Sequence, residues 1–123
     1  MARFMRSAAL AWSGMMQAIR SQLHMKVHLV AAAVVIAVSA FLPLTRIEWA
    51  VLLLVIALVI SLELVNTAIE RTVDLASPDI HPLAKLAKDT AAGAVLLAAI
   101  VAIVIGLLIL GPPLWHIITA AMR

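Results

Sequence analysis

The chain has 123 residues, of which 66% are hydrophobic and 12% charged, with a mean hydropathy of +1.18. Soluble domains carry about 25% charged residues, so the composition excludes a water-soluble globule and leaves room for one small membrane-embedded domain. The absence of cysteine excludes a disulfide framework and a thiolate metal site, and the formal net charge of +3 sits beside apolar runs, which reads as membrane topology rather than nucleic-acid binding.

Residues 3–24 read as an amphipathic helix. Met5, Ala8, Trp12, Met15, Ile19 and Leu23 recur at helical spacing, and Arg6, Ser13, Gln17, Arg20 and His24 share the opposite side. Moderate hydrophobicity with arginines on the polar face predicts a helix lying in the membrane interface, or one packed on a larger bundle. Arg3 and Arg6 precede a stretch broken by Ser13, Gln17 and Arg20, which is not the clean apolar core of a signal peptide. A first span is predicted over about 27–42, slightly short against the ~17–25 residues a crossing needs. His24, Lys26 and His28 mark its entrance and Pro43 its exit. A second span is predicted over 49–69 with Trp49 as interfacial anchor, and a third over 91–110, which carries no charge. Gly111-Pro112-Pro113 is expected to end the third span and leave a short tail with Trp115 and His116 at the far interface.

Basic residues fix the expected orientation. Arg3, Arg6, Arg20, Lys26, Arg71, Lys85 and Lys88 precede span one or lie between spans two and three, while only Arg46 and Arg123 fall on the other side. The positive-inside rule therefore predicts a cytoplasmic N-terminus and 70–90 segment.

The most informative stretch is Glu63-Leu-Val-Asn66-Thr-Ala-Ile-Glu70-Arg-Thr-Val-Asp74. A charge at a bilayer centre costs roughly 2.5–3.5 kcal/mol on insertion scales, so a chain keeps one only where it is satisfied or used. The spacing i, i+3, i+7, i+11 predicts Glu63, Asn66, Glu70 and Asp74 on one helix face. Fourteen residues separate Glu63 from Trp49, or about 21 Å of helix at ~1.5 Å per residue. That leaves Glu63 roughly 9 Å inside the cytoplasmic boundary of a ~30 Å core, with Glu70 at the boundary and Asp74 in the headgroup layer. The stripe runs from the depth of a lipid hydroxyl to that of a soluble co-substrate.

Opposite it stands Asp79-Ile-His81-Pro82-Leu-Ala-Lys85-Leu-Ala-Lys88-Asp89. Pro82 suits a first helical turn, and Lys85, Lys88 and Asp89 ride on the cytoplasmic extension of span three. Lysines neutralise phosphate charge, and carboxylates hold Mg²⁺ together with phosphate oxygens. Such groups at a membrane surface are the parts of phosphoryl transfer from a nucleotide to a lipid. No Gly-rich P-loop or protein-kinase signature is present.

At these residues the chain resembles the prokaryotic diacylglycerol kinase/undecaprenol kinase family over nearly its whole length. Glu63-Leu-Val-Asn66-Thr-Ala-Ile-Glu70 with Asp74, and Ala87-Lys88-Asp89 at the start of span three, carry the resemblance. It implies an all-α homotrimer of surface helix plus three spans, with sites shared between subunits, in a bacterial plasma membrane. It implies ATP- and Mg²⁺-dependent phosphorylation of a lipid alcohol at the cytoplasmic face. By resemblance Glu63 would be the general base and Asn66 would sit beside it at the substrate. Glu70 would ligate the metal, Lys88 and Asp89 would meet the transferring phosphate, Asp79 and His81 would line the nucleotide site, and Arg3 would touch nucleotide. One departure stands out: where the family pattern has a second metal-ligating glutamate on the surface helix, this chain has Gln22, which predicts weaker metal affinity or compensation by Asp74 or Asp79. A family aromatic is likewise replaced by Leu10.

His28, Ile47-Glu48-Trp49 and His81-Pro82-Leu83-Ala84-Lys85 look more like the undecaprenol kinase branch than the enterobacterial diacylglycerol kinases, which favours a polyprenol over diacylglycerol. The competing class is a small proton- or ion-coupled transporter, whose acids belong near the midplane; clustering toward one side favours interfacial chemistry.

Overall fold

A computed structural model describes residues 1–79 and 81–122; Arg123, counted above in the charge balance, lies outside the described residues. The order is α1 (Ala2–Ser21), α2 (Leu23–Ser39), α3 (Arg46–Ala76) and α4 (Pro82–Ala121), with no strand among the described residues. Helices α3 and α4 are each long and apolar enough to cross a membrane. The 17 residues of α2 span about 26 Å at ~1.5 Å per residue, and they become a third candidate crossing when joined to α1 across a bend of 98°.

The expected surface helix ends earlier than its periodicity suggested. It stops at Ser21, and Leu23 and His24 belong to α2. Gln22 is extended at φ −101° and ψ 125°, although neither proline nor glycine occurs there. The cause is a change of solvent preference. Helix α1 is two-faced and suits an interface, whereas α2 is apolar almost all round and suits hydrocarbon. The Gln22 amide still closes the last turn of α1 on the Ala18 carbonyl at 2.9 Å, and the Ser21 hydroxyl bonds back to the carbonyls of Gln17 at 2.8 Å and Ala18 at 3.5 Å.

The turn into α3 is written in the sequence. Thr45 Oγ1 accepts the Glu48 amide at 3.3 Å while Glu48 Oε2 accepts the Thr45 amide at 2.7 Å, a reciprocal capping box. His81 starts α4 in a similar way, its Nδ1 accepting the Leu83 amide at 3.2 Å, and Pro82 occupies the first turn as expected.

The Gly111-Pro112-Pro113 stop is overturned, because α4 continues through both prolines to Ala121. Two prolines remove two amide donors, a loss that helices of membrane proteins tolerate where ending the helix would free a whole set of backbone groups.

The inward faces share one register. On α2 and the turn after it the sheltered positions include Met25, His28, Ala32, Val35, Ser39 and Leu42; on α3 they include Leu52, Ile56, Val59, Glu63, Asn66, Glu70 and Val73. On α4 they include Ala84, Lys88, Ala91, Val95, Ala98 and Ala102. All step by three and four residues, the seam spacing of helices packed at shallow angles. Alanines on α4 let the two backbones approach closely, as small residues do between membrane helices. The five residues between α3 and α4 make them antiparallel neighbours, so the C-terminal end of α3 and the N-terminal end of α4 meet.

Met25 has no exposed surface, whereas Val30, five residues further along α2, is 64% exposed. Met25→Ala is expected to destabilise the protein by about 2 kcal/mol through the cavity it leaves, and Val30→Ala to leave stability unchanged. Unfolding midpoints in detergent check both.

Candidate active site

The polar stripe of α3 is part of its packing seam. Glu63 is 3% exposed, Asn66 7% and Thr67 2%, so two polar groups and a carboxyl lie where leucine or valine would ordinarily stand. Asn66 Nδ2 donates to Glu70 Oε1 at 3.3 Å, a contact between residues one helical turn apart. That bond leaves the second oxygen of Glu70 available. Asn66 Oδ1 and Thr67 Oγ1 are buried without a hydrogen-bond partner. Buried polar atoms are nearly always paired, so an orphan carbonyl between two carboxylates marks a place where something else binds.

One histidine of α2 shares this inward packing. His28 belongs to the inward register of α2, three residues after buried Met25, whereas the sequence suggested only that it marks the membrane entrance. The signal was available in that spacing. The facing of α2 on α3 was not.

Asp74 follows Glu70 by four residues on the unbroken helix α3, and near the end of that helix its side chain is 66% exposed. Its carboxylate takes the Lys88 ammonium at 2.8 Å, across from α3 to α4. Lys88 therefore salt-bridges Asp74 rather than Glu70, although the charge of Glu70 also reaches it. Lys85 pairs with Asp89 at 2.6 Å along one face of α4. Both lysines precede the uncharged window that begins at Ala91, and hydrogen bonds to their carboxylates, Asp74 for Lys88 and Asp89 for Lys85, hold both ammonium groups above the ordinary lysine range.

These pairs line an open cleft of about 310 Å³ at the α3–α4 turn, bounded by Asp74, Asp79, His81, Lys85, Lys88 and Asp89 among others. Asp79, His81, Lys88 and Asp89 are thus brought together as the sequence suggested. Because His81 Nδ1 accepts the Leu83 amide, its neutral ring carries the proton on Nε2.

The surface helix meets this end of the bundle at one point. The Arg71 guanidinium donates to Ser21 Oγ at 3.0 Å and to Gln17 Oε1 at 3.5 Å, a contact the sequence did not suggest. Gln22 follows Ser21 and Glu70 precedes Arg71, so this bond joins the segments that carry them. Arg3 does not join them. It is exposed near the start of α1, about 28 Å along the axis from Gln22 at ~1.5 Å per residue. No group of three or more metal-ligating His, Asp or Glu side chains forms among the described residues.

A helical hairpin with a buried acid and amide, a cleft of paired lysines and carboxylates, and an amphipathic helix turned across the bundle define a small membrane-embedded enzyme with an interfacial polar site. A family model described as prokaryotic diacylglycerol kinase matches residues 9–110; the chain belongs to that family, whose members are lipid kinases. It is 45% identical to an undecaprenol kinase of Bacillus subtilis over 112 residues, 91% of each chain. It is 48% identical to a diacylglycerol kinase of Synechocystis over 105 residues, 85% of this chain and 60% of that protein. A diacylglycerol kinase of Escherichia coli is 30% identical over 102 residues, 83% of this chain and 84% of that one. Kinase membership implies a nucleotide phosphate donor.

Asp74→Asn removes the charged acceptor from Lys88. The Lys88 titration is then expected to move down toward the ordinary lysine range, read from the ¹⁵Nζ resonance, while Lys85 stays where Asp89 holds it.

Proposed function

We propose that the protein transfers the γ-phosphate of ATP to the hydroxyl of undecaprenol at the cytoplasmic face of a bacterial plasma membrane. The single observation that carries this reading is the graded stripe on α3. Glu63 is nearly inaccessible, Glu70 is half-buried two turns nearer the cleft, and lysines stand at the cleft itself. A lipid hydroxyl reaches the deeper end from the bilayer, and a nucleotide reaches the cleft from water.

In this reading Glu63 accepts the hydroxyl proton as the lipid oxygen attacks the γ-phosphorus. The bond from the γ-phosphorus to the bridging oxygen of ADP breaks, and ADP leaves. Asn66 Oδ1, which has no donor of its own in the chain, accepts a hydrogen bond from the substrate and orients it beside Glu63. Lys88 exchanges Asp74 for the γ-phosphate and neutralises the charge in transfer, with Asp89 beside it. Asp79 and His81 contact the nucleotide. Glu70, with one oxygen free of Asn66, and Gln22 would hold Mg²⁺. The donor set fits that ion, because Mg²⁺ bound to phosphates needs only one or two protein carboxylates; when bound it would neutralise charge on the β- and γ-phosphates.

Arg3 lies too far along α1 to reach this site within one chain. A homotrimer, in which a neighbour's surface helix supplies that contact, accounts for it. The exposed leucines and isoleucines that cover α4, such as Leu96, Leu97, Leu107 and Leu108, suit both lipid and a neighbouring subunit. The 45% identity to an undecaprenol kinase over 91% of each chain supports the polyprenol, and the diacylglycerol kinase relatives make diacylglycerol the second candidate.

The test uses purified protein in micelles with labelled ATP and Mg²⁺, offered undecaprenol and diacylglycerol side by side. Undecaprenyl phosphate is the expected main product, and a preference for phosphatidic acid would reassign the lipid. Glu63→Gln is expected to lower turnover by about 10²–10⁴, the usual worth of a positioned general base; full activity in that variant would remove Glu63 from the role. Gln22→Glu restores a carboxylate near Glu70 and is expected to lower the Mg²⁺ concentration for half-maximal rate. An unchanged requirement would separate Gln22 from the metal.

A further inference from the structure

We propose that Arg71 is a positioning residue: its guanidinium docks the last turn of α1 onto α3 and so holds the α1–α2 break, with Gln22, at the level of Glu70. The proposal rests on the kinase reading for its consequence, but the docking itself stands on geometry.

On α3, Arg71 is about 100° around the axis from Glu70, so it reaches outward while Glu70 stays in the seam. It has no carboxylate within ion-pair distance among the described residues, where the pairs formed are Lys85–Asp89 and Lys88–Asp74. Its donors go instead to two neutral acceptors, Ser21 Oγ and Gln17 Oε1. Those acceptors are four residues apart, one turn on the same face of α1. A planar fork spanning both fixes how far α1 lies along α3 and how it is rotated, which a single point contact could not do. The Ser21 proton is already committed to the Gln17 carbonyl at 2.8 Å, so its lone pairs are free for Arg71.

Little else fixes α1. Ala18 is its only buried residue, and the polar bonds from Arg71 are the side-chain hydrogen bonds that join α1 to α3 among the described residues. Gln22 is extended and no side-chain hydrogen bond caps α2 there; its backbone bonds only to its own flanking helices, to the Ala18 carbonyl at 2.9 Å and from the Lys26 amide at 3.4 Å. A contact from outside the hinge adds the restraint on where the 98° bend lies against α3, and that contact is one residue from Glu70 on one side and one residue from Gln22 on the other. Exposed hydrogen bonds of this kind contribute little to global stability, so the effect of losing Arg71 falls on placement rather than on folding.

The experiment compares the full chain in lipid nanodiscs with R71A, R71K and S21A/Q17A. Hydrogen exchange of residues 13–22, the Kd for a non-hydrolysable Mg-ATP analogue, and the KM and kcat for Mg-ATP are measured. R71A is expected to speed exchange at 13–22 and to raise Kd and KM about fivefold, with kcat changed less than twofold and the unfolding midpoint unmoved. S21A/Q17A should reproduce that pattern, and R71K, which keeps the charge but not the fork, should recover only part of it. Unchanged exchange in R71A overturns the docking, and faster exchange with unchanged Kd overturns the positioning role. A normal S21A/Q17A beside an impaired R71A would mean that Arg71 acts on the ligand directly, which also overturns it. A wild-type protein that phosphorylates no lipid would defeat the kinase reading alone, since exchange and analogue binding are read without turnover.

Discussion

The antiparallel packing of α3 on the alanine-rich face of α4 governs everything else at the site. The seam positions of α3 step by three and four residues, and Glu63, Asn66 and Glu70 occupy consecutive steps. The spacing that makes a polar stripe is therefore the spacing that makes a helix interface. One consequence is chemical: groups in a seam are held in fixed rotamers and shielded from lipid, which suits a site that must place a carboxyl within hydrogen-bond reach of a substrate. Another is topological, since a five-residue connection folds the lysines of α4 back onto the acids at the end of α3.

The pairs at that end tie the turn together: Lys88 on Asp74 crosses from α4 to α3, and Lys85 on Asp89 runs along α4. Three aspartates face two lysines in the cleft. In the proposed reaction a lysine therefore exchanges its carboxylate for a phosphate, or a cation on the phosphates offsets the acids, and Gln22 would bring one negative charge fewer than a glutamate.

Much of this was legible in the residues. The all-helical membrane class, the surface helix, the start of α3, the proline that opens α4 and the grouping of Asp79, His81, Lys88 and Asp89 all follow from local chemistry: periodicity, capping and chain proximity. The misreadings have physical causes as well. Gly111-Pro112-Pro113 looked like a stop because proline removes an amide donor and breaks helices in soluble proteins, whereas α4 runs through both prolines. Asp74 keeps its place along the stripe on the unbroken helix α3, but near the end of the helix it is exposed and pairs with Lys88.

What the sequence by itself determined is the inventory: which segments are helical, which are apolar enough to cross a membrane and which acids and bases flank them. Those properties depend on neighbours within a turn or two. What only the tertiary structure decided is which partners meet. The turn of α1 at Gln22, the grip of Arg71 on Ser21 and Gln17 and the choice of Asp74 by Lys88 join residues up to 54 positions apart. No local periodicity encodes the angle or register at which two helices cross. That is set by the fit of the larger side chains of α3 against the small alanines of α4 along a seam, and the site inherits its geometry from that fit.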